Sequence, residues 1–127
     1  MQVKISKILS LKEIYEKIKS KNLPIKTAYK FSKIFNAVEE NFNFYNDELN
    51  KILQKYAEKD ENGNFKTLEN NKGIQVSKEY ISEARSELNN LMNLEVDFPD
   101  ITFKLDELGA IELSIEEITC LEAFIEQ

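Results

Sequence analysis

The sequence predicts an α+β fold: a long antiparallel helical hairpin, a small antiparallel β-sheet and a C-terminal helix. Three observations predict it. Apolar residues follow a heptad spacing along one long segment, short segments alternate apolar and polar side chains, and a Ser-x-x-Glu sequence near the end is typical of a helix start. With 127 residues, of which 42% are hydrophobic and 31% charged, the chain is predicted to form a single domain over residues 1–127.

The heptad predicts the long helix. Its members are spaced alternately by three and four residues, which keeps them on one side of a helix; they are Ala28, Phe31, Phe35, Val38, Phe42, Tyr45, Leu49, Ile52 and Tyr56. We expect this helix to run from about Pro24 to Glu58, because proline suits a first helical turn. We call these nine residues the seam, and we expect the rest of the chain to cover them.

The segment before the long helix predicts a short strand over Val3–Leu9 and then a helix. Ser10 and Glu13 form a capping box that would start this helix near Leu11. Its apolar face would consist of Leu11, Ile14, Tyr15 and Ile18. The helix would end at Asn22–Pro24 and cover the N-terminal half of the seam.

A β-hairpin and another helix are predicted after the long helix. Phe65–Leu68 and Ile74–Val76 flank the turn residues Asn70–Gly73. Ser77 is predicted to cap a helix that ends near Asn93. The inner face of that helix would consist of Ile81, Ala84, Leu88 and Leu91.

The last third of the chain predicts two strands and a closing helix. Apolar and polar residues alternate over residues 94–98 and again over residues 101–105. Ser114 and Glu117 form a second capping box. The helix that they open would bury Ile118, Leu121, Phe124 and Ile125.

Several kinds of chemistry lack the residues that they need. The chain has no histidine and a single cysteine, Cys120, which removes the usual general base and the ordinary zinc ligand sets. The turn Asp60–Asn64 superficially resembles a calcium loop, but its Gly63 is fourth rather than sixth and Asn71 stands where a glutamate would. We therefore expect no enzyme, no cofactor and no metal site.

Charge is distributed unevenly. Residues 1–33 carry nine lysines against two acids, a balance of +7, and residues 94–127 carry ten acids against one lysine, a balance of −9. The acidic end would suit a basic protein partner, such as a nucleic-acid-handling protein. Alternatively, the two segments pair with each other in the fold or are simply solvated.

If the acidic end binds a partner, the contacts would come from the acids near the last helix: Asp106, Glu107, Glu112, Glu116 and Glu117. Glu117 is the weakest candidate because its capping box would occupy it. Phe44 is an aromatic residue outside the seam, and it would either anchor a partner or pack under a neighbouring part of the chain.

Three stretches of the chain resemble a known family: Asn22–Lys30, Lys55–Asn64 and Phe103–Leu108, with the final Ile-Glu. They are similar to small uncharacterised proteins encoded by phages and prophages of low-GC Gram-positive bacteria. The resemblance covers most of the chain and rests on turn and core residues. It implies a phage context and a helical hairpin, and it assigns no catalytic residue.

The favoured function is therefore a non-enzymatic phage accessory protein that binds a protein, for example to interfere with a host process or defence system. No apolar run is long enough to cross a membrane, so we expect it in the cytoplasm of the host bacterium. One alternative is an assembly protein that oligomerises through helix faces. Another is a small nucleic-acid-binding protein that uses the Lys-rich N-terminal region.

Overall fold

The computed structural model describes residues 1–67 and 73–126. The strands and α-helices are, in order, β1 (Gln2–Lys4), α1 (Ile5–Ile18), α2 (Ile25–Tyr56), α3 (Ile81–Asn93), β2 (Glu95–Asp97) and α4 (Ile115–Leu121). Short 3₁₀ helices cover Lys78–Tyr80, Leu105–Leu108 and Glu122–Phe124. A long helix, a two-stranded antiparallel sheet and a C-terminal helix confirm the predicted α+β fold.

The chain divides into two compact units. Unit 1 consists of Met1–Asn43 and Leu94–Gln127, and unit 2 consists of Phe44–Asn93. Helix α2 contributes its residues up to Asn43 to unit 1 and its remaining residues to unit 2. That the whole chain behaves as one domain stays a prediction.

In unit 1, the sheet and α1 meet at the start of the chain. β1 pairs antiparallel with β2, with Val3 opposite Val96. The predicted strand over Val3–Leu9 is wrong beyond Lys4, because the chain enters α1 at Ile5. Ser10 consequently lies inside α1 and does not cap it.

Helical spacing explains the early start of α1. Its buried residues are Ile5, Ile8, Leu11, Ile14 and Ile18. They recur every three or four residues, so a single helix buries all five, and the last four belong to the core of unit 1. A strand would turn alternate members of the set away from that core.

The N-terminal half of α2 forms the other wall of this core. Phe31, Phe35 and Val38 are buried, as the seam predicts, and Tyr15 of α1 packs with its ring centre 4.9 Å from that of Phe35. Ile34 is also fully buried although it lies outside the heptad. A coiled coil buries only two positions of each heptad. This half of α2 buries a third position as well, so its apolar face is wider.

The second strand predicted over residues 101–105 is wrong. Phe103 forms a single parallel bridge with Ile125, and the chain then enters the 3₁₀ helix that begins at Leu105. The Glu107 N–H donates to the Lys104 carbonyl at 2.9 Å, which bends the backbone out of an extended path. The alternating apolar residues over 101–105 therefore do not mark a strand, and Phe103 is apolar because it is buried in the core.

The C-terminal helix begins as predicted. The Glu117 N–H donates to the Ser114 hydroxyl at 3.1 Å, and the Ser114 N–H donates to the Glu117 carboxylate at 2.8 Å. This capping box opens α4, which buries Leu121. Phe124, in the 3₁₀ helix that follows, is fully buried as well.

Unit 2 contains the predicted turn. The Asp60 carboxylate accepts from the N–H groups of Asn62 at 2.9 Å and Asn64 at 3.0 Å, and Gly63 has a φ of +81°, which favours glycine. Thr67 then pairs antiparallel with Ile74, as in the predicted hairpin. Residues 68–72, with Leu68 and most of the predicted turn, lie outside the described residues.

Helix α3 ends at Asn93 as predicted, but its start differs. Ser77 makes no capping hydrogen bond through its side chain, and a 3₁₀ turn over Lys78–Tyr80 leads into α3. Ala84 and Leu91 are buried, whereas Ile81 is exposed. Ile81 is the first residue of α3 and lies at the rim of a cavity, so the core of unit 2 does not enclose it.

The seam is less completely covered in unit 2. Its members there are half-buried; they are Tyr45, Leu49, Ile52 and Tyr56. Lys55 of α2 and Glu87 of α3 form an ion pair at 3.1 Å beside them. The ring centres of Tyr56 and Tyr80 are 5.7 Å apart.

Replacing Phe103 by alanine should strongly destabilise the protein. The side chain is fully buried and its ring centre lies 4.6 Å from that of Phe31, so Phe103→Ala should lower the free energy of unfolding by about 3–5 kcal/mol. Urea unfolding measures the change. Tyr29→Ala, an exposed aromatic substitution in α2, is the control and should cost less than about 0.5 kcal/mol. Equal effects of the two substitutions would contradict the assignment of Phe103 to the core.

Candidate partner-binding surface

The five acids predicted to bind a partner all lie in one stretch of unit 1, residues 105–117, which we call the acidic segment. Asp106 and Glu107 belong to the 3₁₀ helix, and Glu116 and Glu117 belong to the first turn of α4. Glu112 lies in the connection between them. Phe103 on one side and the capped start of α4 on the other fix the two ends of the segment.

Glu107 is held inside the fold. Its side chain is only 14% exposed, and the Lys30 ammonium donates to its two carboxylate oxygens at 2.9 and 3.0 Å. The same ammonium donates to the Thr102 carbonyl at 2.7 Å. The hydrogen bond from Lys30, followed by the one from the Lys104 N–H, lowers the pKa of Glu107 below 4.5. Glu107 therefore joins the acidic segment to α2 and is not a free contact.

Glu117 is occupied in the same way. The Lys17 ammonium of α1 lies 2.6 Å from its carboxylate, which also accepts from the Ser114 N–H. These two groups, Lys17 first, lower the pKa of Glu117 below 4.5. The capping box already makes Glu117 the weakest predicted contact, and the partner in α1 is an additional reason.

Asp106, Glu112 and Glu116 remain available. All three are exposed, and none forms an ion pair with a described residue. Two exposed apolar residues adjoin them in the chain, Leu105 (65% exposed) before Asp106 and Ile115 (84% exposed) before Glu116. The acidic segment thus presents both charge and apolar area to solvent.

Sequence reasoning missed a neighbouring pair of apolar residues. Ile25 is 88% exposed and Tyr29 is 62% exposed, and they lie one turn apart on the same side of α2. Thr27, between them in the chain, donates to the Glu107 carbonyl at 3.2 Å. The heptad alone did not signal their exposure, because Ile34 also lies outside it and is fully buried.

The Lys-rich N-terminal region is partly committed to ion pairs. Four of its nine lysines form them with described residues: Lys12, Lys17, Lys19 and Lys30. Two of these, Lys17 and Lys30, reach acids of the acidic segment. Internal pairing, one of the two interpretations left open above, therefore accounts for part of the charge asymmetry.

Phe44 belongs to unit 2 and is exposed. That it anchors a partner stays a prediction. It is not part of the acidic segment.

Cys120 is the single cysteine of the chain. Cys120 is half-buried, and burial raises the pKa of its thiol, which disfavours the nucleophilic thiolate. Within residues 1–67 and 73–126, no three Cys, Asp or Glu side chains converge in a way that could hold a metal ion.

Comparisons of the chain with protein-family models, with curated proteins and with solved structures find no match. Among the helices of the described residues, none is both long and apolar enough to cross a membrane.

The ion pair of Glu107 should make the stability depend on pH. A carboxylate whose pKa is lowered on folding stabilises the protein above its unfolded pKa, here 4.5, and loses that contribution as the pH falls through the folded pKa. Glu107→Gln should therefore be less stable than the wild type at about pH 6, and the difference should shrink towards about pH 3. Urea unfolding across a pH series measures it.

Glu112→Gln is the matched control, because Glu112 is exposed and unpaired among the described residues. This variant should stay close to the wild type throughout the series. A Glu107→Gln variant that also follows the wild type at every pH would show that the bond to Lys30 contributes nothing to folding.

Proposed function

We propose that the protein is a non-enzymatic phage accessory protein that binds a basic protein of the host through the acidic segment. The observation that supports this most is the division of the segment's acids. Two form ion pairs with lysines of the same unit, and three are exposed, of which Asp106 and Glu116 follow the exposed apolar residues Leu105 and Ile115.

Such a surface has the two components that a protein interface needs. Free carboxylates attract a basic partner and accelerate encounter, while apolar side chains supply the area whose burial holds the complex together. Leu105 and Ile115 are exposed apolar residues that directly precede Asp106 and Glu116 in the chain. The pairs with Lys30 and Lys17 hold the backbone in place, which lowers the entropy lost on binding.

The charge distribution favours a protein over a nucleic acid. The formal net charge is −6, and the N-terminal region contains no arginine. Four of its lysines are already in ion pairs. Phosphate binding would have to overcome repulsion from the whole chain with few available cations.

The biological setting follows from the sequence resemblance to phage and prophage proteins. In that setting the partner is a host protein whose basic groove ordinarily receives nucleic acid. An acidic segment that occupies such a groove would block it, which would interfere with a host process or a defence system. The protein would act in the cytoplasm of the host bacterium.

The test compares two triple charge reversals. One replaces Asp106, Glu112 and Glu116 by lysine in the acidic segment. The control replaces one aspartate and two glutamates in unit 2, Asp47, Glu61 and Glu83, which are exposed and unpaired among the described residues. Both changes alter the net charge equally, so only the location of the charge differs.

Immobilised wild type should retain a basic protein from lysates of low-GC Gram-positive bacteria, and the unit 2 variant should retain the same protein. With that protein purified, the association rate of the wild type should fall steeply as salt rises, because the Debye length shrinks from about 10 Å at 0.1 M to about 3 Å at 1 M. The variant of the acidic segment should associate at least about tenfold more slowly at low salt. Equal rates for the two variants, or a rate independent of salt, would refute the proposal.

A further inference from the structure

Unit 2 contains an apolar cavity of about 390 Å³. Three elements bound it: α2, residues 74–76 and α3. The residues that line it are mostly apolar and include Leu49, Ile52, Leu53, Val76, Ala84 and Leu88. Its volume lies within the range of about 300–1,000 Å³ that is typical of small-molecule sites.

A polar cleft adjoins this cavity. It measures about 640 Å³ and runs along α3, where Ser82, Ser86, Asn89 and Asn90 line it together with Lys78. Ile81 and Arg85 line both the cavity and the cleft. The apolar cavity therefore opens beside a polar surface, and these two residues lie at the boundary.

Arg85 at this boundary and Lys78 in the cleft have no acidic partner within the described part of the chain. Arg85, the only arginine in the sequence, and Lys78 form no ion pair with any described residue. The neighbouring acid Glu87 is already bound to Lys55 at 3.1 Å. The Arg85 guanidinium, with no ion pair among the described residues, therefore lies beside an apolar cavity in a protein with a net charge of −6.

From this juxtaposition we propose that unit 2 binds a small amphipathic carboxylate, with an alkyl or aryl body in the apolar cavity and its carboxylate on Arg85 and Lys78. The planar guanidinium of Arg85 matches the two oxygens of a carboxylate. Lys78 adds a second positive charge in the same cleft. The site lies wholly within unit 2 and is independent of the partner proposed above.

The apolar cavity sets the affinity, and the cations set the selectivity. Each methylene that leaves water for the cavity contributes about 0.8 kcal/mol, which corresponds to an affinity gain of about fourfold. Hydrogen bonds to a charged group contribute enough to separate an anion from a neutral analogue of the same length by about tenfold or more.

The first experiment uses the full chain and needs no variant. Isothermal titration with hexanoate, octanoate and decanoate, each kept monomeric, should give saturable binding whose affinity rises about fourfold per methylene. Decanol and decyltrimethylammonium should bind at least about tenfold more weakly than decanoate. Amide resonances of Ala84 and Leu88 should shift during the decanoate titration, which locates the site.

The second experiment removes the cations. Arg85→Gln with Lys78→Gln should weaken decanoate binding by at least about tenfold and change decanol binding by less than about twofold. Lys51→Gln, which removes an exposed lysine of unit 2 outside both the cavity and the cleft, is the control and should leave decanoate binding unchanged.

Several outcomes would overturn the proposal. They are the absence of saturable decanoate binding, decanol binding as tightly as decanoate, or an affinity that survives loss of both cations. Binding to vesicles of phosphatidylglycerol without binding to monomeric decanoate would also overturn it, since it would assign the surface to a membrane.

Discussion

The burial of Phe103 is the interaction on which unit 1 depends. Its ring packs 4.6 Å from that of Phe31, and its backbone bonds in both directions to the C-terminal end, to the Phe124 carbonyl and the Glu126 N–H, at 2.7 Å each. The Lys30 ammonium lies 5.4 Å from the same ring and continues to Glu107. One buried aromatic residue thus joins α2, the end of the chain and the start of the acidic segment, so the position of that segment follows from the packing of the core.

Two ion pairs fix the position of the acidic segment, which carries an excess of negative charge. A run of acids with no partners would be a solvated, mobile segment with strong self-repulsion. Pairing Glu107 with Lys30 and Glu117 with Lys17 removes that repulsion at two points and fixes the backbone between them. The remaining acids keep their charge at positions set by the fold, which is the property that a selective protein-binding surface requires.

Local signals in the sequence were sufficient for some elements and not for others. The heptad predicted α2 to within two residues of its end, and the Ser114 capping box predicted the start of α4. The strand expected over residues 101–105 failed because its alternation comes from one buried phenylalanine that bonds to the far end of the chain.

The acids of the candidate site were recognisable, but their roles were not: Glu107 is separated from Lys30 by 77 positions, and no local pattern reports such a pairing. Ile25 and Tyr29 are exposed and Ile34 is buried although all three lie outside the seam, so the heptad did not separate them.

The central claim is that the free acids of the acidic segment touch a partner protein in the cell. Site-specific photo-crosslinking tests it most directly, with a photoreactive amino acid placed at position 112 or 116 of the acidic segment, or at position 61 or 83 of unit 2, and the protein expressed in a low-GC Gram-positive host. The account predicts a discrete adduct with a host protein of basic composition from positions 112 and 116, and none from positions 61 and 83. Adducts from the unit 2 positions alone, or no adduct from any position, would contradict it.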